Sequence, residues 1–156
     1  MIKDEIQMVV IGAALIALVA LMIGVIVLLG RRRRRRFAGF DEMDGRDFEV
    51  FCAGLLEKRG FLDVEVTKGS GDYGIDILAE KDGVTYAIQC KHYAAPVGVK
   101  AVQEAYAGRD YYDRMVGAVL ANQYFTAPAV EAAKKLKILL WDRGYLESMM
   151  EEEDKG

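Results

Sequence analysis

The chain has 156 residues, 53% hydrophobic and 29% charged, with a mean hydropathy of +0.08. That average conceals two populations. From Ile6 to Leu29 every residue except Gln7, Gly12 and Gly24 is apolar, Arg31 to Arg36 come next, and the rest has the composition of a globular domain. Charge divides the same way, +5 over residues 1–36 and −8 over residues 37–156. A collagen, a disordered tail, a disulfide scaffold (only Cys52 and Cys90 are present) and a polytopic membrane protein are excluded.

A helix from Ile6 to Leu29 would be about 36 Å long, enough for a hydrocarbon core of about 30 Å. A cleavable signal peptide has its basic residues before the apolar run; here Lys3, Asp4 and Glu5 precede it and the arginines come after. The expectation is one transmembrane helix over residues 6–29, after a short extracytoplasmic N-terminus of residues 1–5. An Arg-rich juxtamembrane linker over residues 30–40 acts as stop-transfer signal, placing the remainder of the chain in the cytoplasm. The arginine collar can contact anionic lipid or a DNA backbone. Ala13, Ala17, Ala20 and Gly24 line one face of the span, a seam on which two helices could pack into a homodimer. In a reducing cytoplasm both cysteines stay thiols, and with His92 the only histidine no zinc site is expected.

In the soluble part, Asp44 is read as the N-cap of a helix whose Phe48, Phe51, Cys52, Leu55 and Leu56 recur at helical spacing until Gly60. Leu62, Val64 and Val66 alternate with polar residues as in a half-buried strand, before a glycine-bearing loop, Lys68 to Gly74. Ile75 to Lys81 and Val84 to Lys91 form a hairpin about Asp82-Gly83. The next helix runs from Val99 to Tyr112, with Val102, Ala105, Tyr106 and Arg109 as one stripe. Then come a buried strand Met115 to Ala121, a helix capped by Thr126, and a strand Ile138 to Trp141. The order αβββαβαβ implies an α/β domain over residues 41–146, a mixed sheet with helices on its faces, before an acidic tail over residues 147–156.

Asp82-Gly83 suits a two-residue turn with positive φ at both positions, and this sets the register. Paired residue numbers then sum to 165. Asp76 is expected opposite Gln89, and Lys91 one step further on the same face, so a carboxylate, an amide and an ammonium converge. Val84, Tyr86, Ile88 and Cys90 should point the other way with Ile75 and Ile77. An Asp and a Lys so placed can equally be an ordinary solvated ion pair. Glu49 borders the buried face of the first helix and is either a site acid or a helix-surface carboxylate.

The runs Asp44 to Glu49, Gly60-Phe61, Thr67 to Asp76 and Ile88 to Tyr93 together resemble the catalytic domain of Mrr-type restriction endonucleases, a branch of the PD-(D/E)XK nuclease superfamily. The resemblance implies a restriction-endonuclease-like central mixed β-sheet flanked by helices. It also implies cleavage of DNA phosphodiesters, often of foreign or modified DNA, with Mg²⁺ or Mn²⁺. It makes Asp76, Gln89, Lys91 and Glu49 catalytic, with Asp76, the Gln89 amide oxygen and the Cys90 backbone carbonyl holding the metal. Lys91 would orient the attacking water or neutralise phosphate charge. Gln89 departs from the wider superfamily, which has an acid there; it brings no charge, so one metal is expected. Ser70 and Asp72 are read as DNA contacts or loop caps, and His92 and Tyr93 as DNA contacts or exposed loop residues.

The function expected is therefore a membrane-anchored, divalent-metal-dependent DNA endonuclease, single-pass in the cell membrane. The alternative is a catalytically inactive nuclease-fold module that binds nucleic acid or a protein partner at the membrane. It draws on the acidic domain and the lack of a separate specificity domain.

Overall fold

The computed structural model describes residues 2–36, 38–68, 71 and 73–153, with side chains for all of these except 2–11, 13, 31–36, 38, 40, 152 and 153. The chain forms two compact units, residues 1–39 and 40–156. The first is a helix, α1 (Ile2–Arg36), which contains the apolar run; its described side chains from Ala14 to Gly30 are all exposed. Among the described residues no helix is long and apolar enough to cross a membrane, and the expected span extends on its N-terminal side beyond the described side chains.

The second unit has the element order α2 (Gly45–Lys58), β1 (Leu62–Val66), β2 (Ile77–Lys81), β3 (Val84–Lys91), α3 (Val99–Tyr111), β4 (Val116–Ala121), α4 (Ala127–Leu136), β5 (Ile138–Trp141) and α5 (Arg143–Glu153). A short 3-10 turn, Ala38–Asp41, precedes α2. The sheet runs β1-β2-β3-β4-β5, with β1, β2 and β3 antiparallel and β3, β4 and β5 parallel. This is the mixed sheet expected. Asp44 caps α2 by accepting the Asp47 N–H at 2.8 Å, and Gly60 ends it with φ +78°. Thr126 caps α4.

Helices cover both faces. On one, α3 and α4 bury Val97, Val102, Ala105, Val119, Ala133 and Ile138. On the other, alternation turns Ile77, Ile88 and Leu120 toward α2 and α5, where Phe48, Leu56 and Leu146 are fully buried. Each such side chain contributes about 1.5–3 kcal/mol on burial, so a one-residue slip of β3 that exchanged Ile88 for Gln89 is strongly disfavoured.

Four details depart from the sequence reading. Leu62 is 63% exposed, because Asp63 at φ +48° interrupts the alternation of edge strand β1 and its pairing shifts before Glu65. On α3 the buried stripe is Ala101, Val102, Ala105 and Gly108, while Tyr106 lies outside with Arg109 over its ring. Ile75 packs with Leu78 and Ala87 beneath α3 instead of beside Ile77. Finally, residues 147–153 belong to α5, where Glu147 pairs with Arg143 and Met149 is buried.

Arg143 also ties the ends of the domain together. It makes two 2.9 Å contacts to the Asp41 carboxylate and donates to the Asn122 carbonyl, while Asn122 exchanges hydrogen bonds with the Tyr93 backbone in the loop after β3. Burial acts to raise the Asp41 carboxyl, but the hydrogen bonds and charge of Arg143, with Asn122 and His92, outweigh it and hold Asp41 below its ordinary 3.8.

The packing under α3 is open to measurement. A Cβ at Gly108 would run into Ile75 Cγ1 and stand 3.1 Å from the Tyr73 carbonyl oxygen. Overpacking of about 1–3 kcal/mol should exceed the roughly 1 kcal/mol that Ala gains over Gly in a helix. Gly108→Ala should therefore lower stability in urea denaturation, and a neutral or stabilising result would contradict the close approach. The Asp41–Arg143 pair has a pH signature. Because the folded Asp41 value lies below the unfolded 3.8, its contribution is fully present above 3.8 and is lost as pH falls through the folded value. Asp41→Asn should cost about 1 kcal/mol or less at neutral pH, since the carboxylate is 35% open to solvent. The difference from wild type should shrink below pH 3.8; a difference constant with pH would sink the assignment.

Candidate active site

The regular β2–β3 ladder runs from Lys81↔Val84 to Ile77↔Ile88, with Asp82 and Gly83 at φ +53° and +76°. The expected register thus holds to the last pair before Asp76. There it slips: the Asp76 N–H donates at 3.0 Å to the Ile88 carbonyl, the residue already paired with Ile77, as at a β-bulge. Asp76 is therefore not simply opposite Gln89. Its Oδ2 accepts the backbone N–H of Cys90 at 2.7 Å, one residue beyond Gln89 and one before Lys91.

The other side of Asp76 is held by Thr67. Its N–H donates to the Asp76 carbonyl at 2.9 Å, and its buried hydroxyl donates to the Ile75 carbonyl at 2.7 Å. Arg46 from α2 reaches the Thr67 carbonyl at 2.9 Å and Glu49 Oε2 at 2.8 Å. Glu49 is thus engaged by Arg46 at the α2 end of the same linkage. The slip at Asp76 also explains Ile75: alternation is broken there, and the side chain turns into the space left by Gly108.

Gln89 is 3% exposed, and its Oε1 has no hydrogen-bond partner among the described residues. The amide lies against Gly74, where a Cβ would stand 3.5 and 3.6 Å from its Nε2 and Oε1 and 3.1 Å from Glu104 Cβ. With φ +79° as well, Gly74 is required twice, by space and by backbone conformation. A buried amide oxygen without a donor costs about 1–3 kcal/mol, which makes Gln89 Oε1 a candidate ligand position.

Lys91, at the end of β3, forms an ion pair with Glu104 Oε2 of α3 at 2.9 Å, outside linear hydrogen-bond geometry. Sequence reading missed Glu104, because α3 is separated from β3 by a loop and only the fold brings them together. Cys90 turns its thiol toward α2. The Cys52 thiol beside it, then burial, then the carboxylates of Asp76 and Glu49 push it well above its ordinary 9.0, so it stays neutral. Only its backbone bears on the site. Ile88 accepts from Asp76 and Lys91 accepts from the Asn122 N–H, so alternation puts the Cys90 carbonyl on the Asp76 edge.

His92 leans on Phe48, ring centroids 5.2 Å apart. Tyr93 is half-exposed, 6.0 Å from the Lys91 ammonium. Ser70 and Asp72 lie outside the described residues. Among the described residues no three His, Cys, Asp or Glu side chains gather as a metal-binding group. The oxygens are the Asp76 carboxylate, the Gln89 amide oxygen, unpaired among the described residues, and the Cys90 main-chain carbonyl, a donor set that fits a hard cation completing its shell with water.

Residues 40–150 match the Mrr_cat family model, restriction endonuclease. No curated protein matches the chain. Among solved structures, a protein of unknown function, AF1548, is similar with TM-score 0.57 and 24% identity, covering 68% of this chain and 65% of that one. The DNA modification-dependent restriction endonuclease AspBHI gives 0.56 and 15%, covering 76% of this chain and 35% of its own. The MspJI restriction endonuclease, solved in complex with an oligonucleotide, gives 0.51 and 15%, covering 76% and 30%. This chain therefore spans about a third of the length of either enzyme. The three structures share its fold, a five-stranded mixed sheet between helices; the family model covers most of its length. The chain belongs to the Mrr_cat family of restriction endonucleases.

Proposed function

We propose that this protein is a membrane-tethered, divalent-metal-dependent DNA endonuclease of the Mrr, type IV restriction kind, acting on foreign or modified DNA. The observation that carries the reading is a buried Gln89 Oε1 with no partner among the described residues, next in sequence to the Cys90 whose N–H fixes the Asp76 carboxylate, on the strand that ends in Lys91. Asp76, Gln89 and the Cys90 carbonyl would hold Mg²⁺ or Mn²⁺, and Glu49 would add negative charge from α2. A divalent cation there supplies positive charge to polarise a phosphate and lower the pKa of water. Lys91 presents an ammonium to a phosphate oxygen or to the attacking water. Ser70, Asp72, His92 and Tyr93 are candidate DNA contacts around it. DNA is favoured as substrate by the family and by the oligonucleotide complex of MspJI; modified DNA is favoured by the name of AspBHI.

The membrane assignment is supported by the sequence. The apolar run Ile6 to Leu29 and the collar Arg31 to Arg36 favour a single span with the N-terminus outside and the nuclease domain cytoplasmic. The collar would contact anionic lipid, and the small-residue seam favours a homodimer. Full-length protein should stay in the membrane fraction under alkaline carbonate, whereas residues 37–156 should be released. Release of both would contradict the anchor.

A second reading, a non-cutting module that binds nucleic acid or a protein partner, is favoured by the −8 charge of residues 37–156 and by the engagement of Lys91 with Glu104. Incubating the full-length protein with plasmid and with cytosine-modified DNA, in Mg²⁺ or Mn²⁺, separates the two. Wild type should cut, while Asp76→Ala and Lys91→Ala should each lose about 100-fold or more. Equal cutting by all three would remove the site, and DNA binding without cutting on any substrate would favour the second reading.

A further inference from the structure

We infer that Glu104 is a positioning residue for Lys91, the site's ammonium; its part in cleavage rests on the nuclease reading above. Three observations on α3 converge on it. Lys100, Glu104 and Gly108 recur every fourth residue, so they form one line along the helix. Gly108 lets Ile75 pass beneath that line, and Gly74, which has no side chain, lies directly under Glu104, where even a Cβ would come within 3.1 Å of the Glu104 Cβ. The segment carrying Asp76 therefore runs close under α3, and Glu104 stands over the end of β3.

From there its carboxylate reaches Lys91 Nζ at 2.9 Å, with the two side chains only 16% and 28% exposed. The other lysine within reach, Lys100, is 3.6 Å away and 86% exposed, so the shielded partner is Lys91. The arrangement answers a problem set by the sequence. Asp76 and Lys91 are opposite charges at the ends of adjoining strands, and a direct pair would neutralise both. Glu104 gives the ammonium a different partner, so Lys91 is oriented by α3 and not by the Asp76 carboxylate. It also returns to this corner the negative charge that Gln89 lacks, placed on the lysine instead of on the cation.

The test uses the full-length protein and has one arm that needs no cleavage. A water-soluble carbodiimide joins a carboxylate to an amine already in contact. Peptide mass spectrometry should find a Lys91–Glu104 crosslink more abundant than Lys100–Glu104; its absence overturns the placement whether or not the protein cuts DNA. In the kinetic arm, Glu104→Gln should lower kcat by about 10- to 100-fold. The KM for DNA and the half-saturating Mg²⁺ concentration should stay within about 2-fold, and Glu104→Asp should recover part of the loss. An unchanged kcat in Glu104→Gln overturns the role, as does a loss expressed only in KM or in the Mg²⁺ requirement. If wild type cuts nothing while the Lys91–Glu104 crosslink forms, the nuclease reading fails and the placement of Lys91 by Glu104 stands.

Discussion

The hydrogen bond from the Cys90 N–H to Asp76 Oδ2 is the contact on which the site depends. A side chain at a strand end normally has several rotamers, and a metal-binding carboxylate with that freedom loses conformational entropy on binding. Here the backbone of Asp76 is fixed on one edge by Ile88 and on the other by Thr67, and its side chain is fixed by Cys90. The one-residue slip at Asp76 lets this happen, since in an unbroken ladder the carboxylate would point squarely away from the sheet and out of reach of a main-chain N–H. The β-bulge therefore aims the side chain, and Thr67, braced by Arg46, keeps the bulge in place.

Charge around this point is arranged with little redundancy. The domain is acidic overall, and Gln89 adds a donor oxygen without adding to that charge. Glu49 is held by Arg46 and Lys91 by Glu104, so each of these charges has a partner on a helix. Cys90, which would be the softest ligand nearby, is kept neutral beside Cys52 and turned toward α2. The result is an oxygen-lined corner at the C-terminal ends of the parallel strands β3 and β4, where ligands of α/β sheets commonly bind.

Much of the fold was legible because short-range chemistry specified it. Asp82-Gly83 tolerates the positive φ that a two-residue hairpin turn needs, and that one pair set the register of every residue from Ile77 to Ile88. Asp44, Gly60 and Thr126 marked helix ends through their capping preferences. The failures occurred where the decisive partner is distant in the chain. Nothing local in Ile75-Asp76 announces a bulge; it arises from Thr67 and from the absence of a Cβ at Gly108. Period-two alternation consequently assigned Ile75 to the wrong face. Glu104 looks like any helix-surface acid until α3 is laid over Gly74, and Asp41, ahead of α2, showed no sign of its partner Arg143. Residues 147–156 read as an acidic tail because, among their glutamates, Met149 gives little sign that α5 docks through it and through Leu146. Asp76, Gln89 and Lys91 were selected from their pattern on one hairpin; the contacts to Asp76 and Lys91 from outside it come from Thr67, braced by α2, and from α3.

Whether Asp76 and Gln89 form one cation site is decided by a crystal structure grown with Mn²⁺. An anomalous peak is expected, bonded to an Asp76 carboxylate oxygen and to Gln89 Oε1 at about 2.0–2.3 Å, with the Cys90 N–H still on Oδ2 and Lys91 still on Glu104. A manganese ion bound elsewhere, or none at millimolar concentration with Gln89 Oε1 taken up by a protein donor, would contradict the shared site.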